Sequence, residues 1–187
     1  MKNSTNLLQE FLGEAPLLIE IANKQFGGLS ETQINWKRSE EKWSIGECID
    51  HLTVTHKLYN SKIKQLKPFF KDSSKGPVKF KHTFSGRMIL KYVDPNSTTR
   101  TKTFKVFEPS TKHIKTNIIT SFCEEVEELI SFANKLHGTD FGMIKISSPV
   151  SKLLRMNIGD ALLINLYHDK RHINQAEKIL NETNFPN

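Results

Sequence analysis

A chain of 187 residues is long enough to bury one proper core and too short to divide comfortably into two, so a single domain over 1–187 is expected. An apolar fraction of 37% and a charged fraction of 25%, with both signs dispersed, exclude a wholly disordered chain. The net charge of +7 raises the question of a polyanion, but the lysines are scattered and the densest run, "VKFKHTFSGRMILKY", belongs to no recognisable nucleic-acid module, so nucleic acid is not an expected partner.

The opening "MKNSTNLLQEFLGEAP" has too short and too interrupted an apolar run for a signal peptide, and no stretch approaches the length of a spanning helix. No membrane association is expected, and the cytoplasm is the expected location. The first helix is expected over "APLLIEIANKQFGG", with Pro16 at its first position and Gly27 and Gly28 as its stop, preceded by a separate turn from Thr5 to Leu12. The second is expected over "WSIGECIDHLTVTHKLYNSKIKQLKP". Ser44 and Glu47 have the spacing of a capping box, Ile45, Ile49, Leu52, Leu58 and Ile63 keep a mostly helical rhythm, and Pro68 ends it.

About forty residues rich in Lys, Thr, Ser, Pro and Gly follow, a connection long enough to suggest function or mobility. Within it "GRMILKYV" reads as a short helix and "TKTFKVFEP" as extended chain. The third helix is expected after Pro109, with Ser110 as its cap, apolar residues from Ile114 through Ile130 and a stop at Gly138, which would make it the longest. The fourth runs through "NIGDALLINLYHDKRHINQAEKILN", capped by Asn157 with Asp160 in its first turn. These elements predict an all-α fold, a four-helix bundle with a long decorated connection between helices 2 and 3.

His168 and His172 lie four residues apart on the fourth helix, about 40° round the same face, so both rings can reach one ligand. The spacing alone is a weak signal, because helical histidines often bond a carboxylate or face solvent, and Asp169 and Glu47 could serve such purposes. A metal that keeps positions open usually takes three protein ligands. His51, on the second helix among Ile45, Ile49 and Leu52, is the best third candidate. His56 lies about 140° further round, and His82, His113 and His137 fall in loops or near helix ends.

Two stretches carry a family resemblance. "EEKWSIGECIDHL" resembles the start of the second helix in the DinB-like superfamily of metalloenzymes, where a Trp-Ser pair opens the helix and a histidine follows. "NIGDALLINLYHDKRHINQAEKIL" resembles that family's last helix, with its H-x-x-x-H and a following Gln. The likeness extends from about Pro16 to Leu180, although the lysine-rich middle is too variable to match. It implies a four-helix bundle holding a divalent metal, most often nickel or zinc, on three histidines that carry over to His51, His168 and His172. It also implies activities that include transfer of low-molecular-weight thiols such as bacillithiol or mycothiol to electrophiles, thiol-dependent isomerisation and metal-dependent hydrolysis. The expected partners are then a small-molecule substrate, a thiol co-substrate and, as an open alternative, a second copy of the chain.

Trp43 reads as an apolar anchor beside the cap. Gln175, one turn after His172, reads equally as support for a ligand and as a solvent-facing amide. Glu47 is accounted for by the capping box, and Cys48 and Cys123 by reduced, buried thiols, with Cys48 near the face of His51. No serine-hydrolase, phosphate-loop or dinucleotide motif is present, so any chemistry rests with the metal. The alternative from another class is a non-catalytic helical bundle, a stress-associated binding protein whose histidines hold a structural metal or none.

Overall fold

The computed structural model describes residues 3–66, 79–97 and 102–187. The chain is mostly helical, with α1 (Ser4–Phe26), α2 (Glu31–Asn35), α3 (Ile45–Lys64), α4 (Phe84–Val93), α5 (Ile118–Asn134) and α6 (Ile158–Leu180). A small antiparallel sheet of β1 (Lys145–Ser148) and β2 (Ser151–Asn157), absent from the all-α expectation, leads directly into α6. The long helices pack around a closed circuit, α1 on α5, α5 on α3, α3 on α6 and α6 on α1. Among the described residues no helix is long and apolar enough to cross a membrane.

α3 and α6 start where the sequence places them. The Ser44 hydroxyl accepts from the Glu47 N–H at 3.1 Å while the Glu47 carboxylate accepts from the Ser44 N–H at 2.9 Å, the two halves of a capping box. Asn157 caps α6 by accepting from the Asp160 N–H at 2.8 Å. "GRMILKYV" lies within α4 as expected.

Other elements differ. α1 is one helix of 23 residues that begins after its cap Asn3 and runs straight through Pro16. Pro16 forfeits a backbone hydrogen bond, at a cost of about 3 kcal/mol in a helix interior. However, Leu7, Leu8, Phe11 and Ala15 before it and Leu18, Ala22 and Phe26 after it all reach the same buried side, and their burial at roughly 1.5–3 kcal/mol per large side chain outweighs that loss.

α5 is 17 residues long and starts at Ile118, so it is shorter than α1 and α6, and Ser110 does not cap it. Instead the Ser110 N–H and hydroxyl both donate to the Asp50 carboxylate on α3, at 2.5 and 2.8 Å. Ile114 is buried from a loop whose backbone is bracketed by the Asn35 amide. α5 ends at Asn134, before Gly138, which takes a left-handed φ of 73°.

In "TKTFKVFEP" the described residues include a 3-10 turn at Lys105–Phe107 where extended chain was expected. Thr101 lies outside the described residues, as do 67–78, including Pro68, and 98–100.

The start of α4 is tied to α6 by one carboxylate. Asp160, fully buried, accepts from the Thr83 N–H at 3.0 Å, the Thr83 hydroxyl at 2.7 Å and His82 Nδ1 at 2.7 Å. Gly86 passes so close that a Cβ there would fall onto this carboxylate, which its donors prevent from swinging aside. Gly86→Ala is therefore expected to destabilise the chain by about 1–3 kcal/mol. Urea unfolding checks this: a lowered midpoint at unchanged m-value is expected, and a midpoint equal to that of the wild type would contradict the packing.

Candidate metal centre

α3 presents His51 and α6 presents His168 and His172 toward one point. His51 is buried and the α6 pair half-buried, and one ring nitrogen from each lies within 4.8 Å of the other two. Ring centroids are 4.8 Å apart for His51 and His168, 4.6 Å for His51 and His172, and 4.7 Å for His168 and His172. Among the described residues no other group of three His, Cys, Asp or Glu side chains converges in this way.

The ring protons are placed by their partners. His51 Nδ1 lies 2.5 Å from the Phe107 carbonyl oxygen, which can only accept, so Nδ1 carries the hydrogen and Nε2 presents a lone pair. His172 Nδ1 donates to Gln175 Oε1 at 3.1 Å and likewise leaves Nε2 free. Gln175 thus supports His172. Phe107 is held over the site by its neighbour Ser110, bonded to Asp50 one residue before His51. His51 Nε2 faces His168 Nε2 at 3.0 Å.

Electrostatics favour the neutral rings. Burial lowers the pKa of His51, partly offset by the hydrogen bond to Phe107 and by Asp50. Burial first, and then His172 and His51, hold His168 well below the usual imidazole range. Burial, His51 and Arg171 bring His172 down to about 3, with Gln175 acting in the other direction. A divalent metal binds imidazole in its neutral form, so this donor set fits such an ion, and the three-histidine group could hold one.

The remaining candidates fall elsewhere. Glu47 is occupied by the α3 cap and by Lys37 Nζ at 2.6 Å, and its carboxylate is not part of the cluster. Cys48 is fully buried, its thiol pKa raised by desolvation and by Glu47, which fits a core side chain. His56 pairs with Asp169, His82 with Asp160 and His113 with Glu31, while His137 is exposed.

Trp43 does more than anchor the helix start. Its ring lies 4.9 Å from that of His51 and 5.7 Å from that of His172, and so it walls the cluster. Trp43 also lines a groove of about 480 Å³, together with Glu47, Lys102, Glu108, Ser110 and Lys112. The Phe107 carbonyl and the Asp50–Ser110 tie were not found from the sequence. A backbone acceptor leaves no trace there, and Ser110 is indistinguishable from a helix cap until its partner is known.

The DinB superfamily model matches residues 20–176, most of the chain, and the chain belongs to that superfamily. No curated protein and no solved structure matches it.

In the metal-free chain the depressed imidazole pKa values make stability depend on pH. Below the unfolded value of about 6.5 the unfolded state takes up protons that the folded cluster refuses. Stability is therefore complete above about pH 6.5 and falls as pH drops, until the folded groups also titrate, at about 3 for His172. Each imidazole contributes a slope of at most ~1.4 kcal/mol per pH unit. Urea midpoints from pH 7.5 to 4.5 are expected to fall more steeply for the wild type than for His172→Gln, and equal slopes would contradict the assignment.

Proposed function

We propose that this DinB-superfamily chain is a metal-dependent enzyme in which His51, His168 and His172 hold one divalent ion, nickel or zinc. Its reaction is the transfer of a low-molecular-weight thiol of the bacillithiol or mycothiol type to an electrophile, or a metal-dependent hydrolysis. The observation that carries this reading is the convergence of three imidazoles held neutral, two of them with Nε2 freed by a hydrogen bond at Nδ1. A structural site is normally closed by four protein ligands, and only three converge among the described residues, which supports a centre with positions left for substrate. When bound, the ion supplies a Lewis acid that favours the anionic form of a thiol or of water at neutral pH.

The chain's own residues do the rest. Phe107 and Gln175 fix ring orientation, and Trp43 shields one side of the cluster from water. The groove that Trp43 shares with the cluster is where we place the small-molecule substrate, within the usual size range of such sites. With Cys48 buried and its thiol held protonated, the reacting sulfur belongs to the diffusible thiol. We place the four long helices in a family-type bundle within one domain, and the protein in the cytoplasm.

Protein purified without a polyhistidine tag and exposed to nickel or zinc is expected to hold about one ion per chain by elemental analysis. His168→Ala and His172→Ala are expected to lose the metal and to lower turnover of a thiol with an electrophile, or of an ester or amide, by at least about 10²-fold, with unchanged circular dichroism. Cys48→Ser is expected to retain activity. Turnover surviving in the histidine variants would place the chemistry elsewhere, and a metal-loaded, folded protein inert with every such substrate would favour the non-catalytic alternative.

A further inference from the structure

The proposed chemistry makes no use of a second buried pair beside the cluster. His56 Nε2 lies 2.9 Å from each carboxylate oxygen of Asp169, and the two side chains are 1% and 3% exposed. His56 stands on α3, five residues after His51, and Asp169 on α6, directly after His168. The pair therefore spans the two helices that carry all three ligand imidazoles.

Stability does not account for it. Desolvating such a pair costs about as much as the pair regains, and apolar residues of similar volume are often as stable or more so. The cost is higher here because His56 Nδ1 is buried with no partner among the described residues. What the pair supplies is direction. Apolar side chains between two helices tolerate small slides and rotations, whereas one N–H held between two carboxylate oxygens does not. A ligand set split between helices needs that constraint, since His51 Nε2 and His168 Nε2 meet at 3.0 Å across the same seam.

We propose that His56 and Asp169 are positioning residues that hold α3 and α6 in the register at which the three imidazoles close on one ion. The proposal rests on the metal-site reading above.

The test compares wild type, Asp169→Asn and the double variant His56→Leu with Asp169→Ala, which roughly conserves volume. Affinity for Ni²⁺ is measured by chelator competition, and the urea midpoint is measured on metal-free protein. The double variant is expected to keep its midpoint while its affinity falls about 10- to 100-fold. Asp169→Asn, which keeps one acceptor for His56, is expected to recover part of that loss, and it serves as the test if the double variant does not fold.

Wild-type affinity in the double variant would overturn the proposal. So would a loss of affinity matched by an equal loss of stability, since that is what a merely structural pair would give. If the wild type binds no Ni²⁺ or Zn²⁺, the metal-site reading fails instead, and the register is then read in metal-free protein by nitrogen NMR of the histidine rings. Sharp His51 and His168 signals in the wild type that broaden in the double variant are expected, and signals unchanged by the substitutions would overturn the positioning role.

Discussion

The packing of α3 against α6 is the constraint from which the candidate centre follows. α3 contributes one imidazole and α6 two, so neither helix forms the cluster alone, and the two Nε2 atoms that meet at 3.0 Å do so only at one rotation and one axial offset of the pair. The other elements hold that arrangement from outside. α1 and α5 close the helical circuit around the seam, while β2 and α4 pin the start of α6 through Asn157 and Asp160. The polar contacts matter here because apolar packing between two helices sets their separation more sharply than their register.

Burial and ligation are two sides of one effect. Taking an imidazole out of water penalises its charged form, and three such rings close together penalise it further, so the cluster enters the neutral pH range with its lone pairs unprotonated. Those lone pairs would be a liability without something positive between them. Phe107 and Gln175 sharpen this by taking the Nδ1 hydrogens outward, and Trp43 limits the water that could compensate the inward nitrogens. Each contact that makes the neutral cluster costly to leave empty also makes it a better host for a divalent ion.

What was legible in the sequence was whatever is encoded locally. The capping box at Ser44 and Glu47 and the cap at Asn157 fix where α3 and α6 begin, and a helix start fixes the angular position of every residue after it. His168 and His172 could therefore be placed on one shared face of α6 and His51 among the apolar residues of α3 from short stretches, while the set of three came from the family motifs that coincide with those stretches. Ser110 was misread because its serine chemistry suits a cap equally well, and the deciding partner, Asp50, is 60 residues away. Pro16 was misread as a start because a local rule was outweighed by burial on both sides of it. The hairpin was missed because only Ile146, Ser148 and Met156 of its inward positions are buried, too weak an alternation to register before its neighbours are known.

Long-range contacts of this kind also explain why the segment around Phe107 belongs to the site although it carries no ligand side chain. Its carbonyl reaches His51 across 56 residues, and its position is set by the Ser110 contact to the residue immediately before His51. α3 thus supplies both the ring and the anchor for the chain that orients the ring. That segment sets both the orientation of the His51 ring and one wall of the adjoining groove, since Glu108, Ser110 and Lys112 line it. The Phe107–Ser110 stretch therefore joins the two features, one end bonded to the His51 ring and the other lining the groove, so the same short run of backbone shapes both.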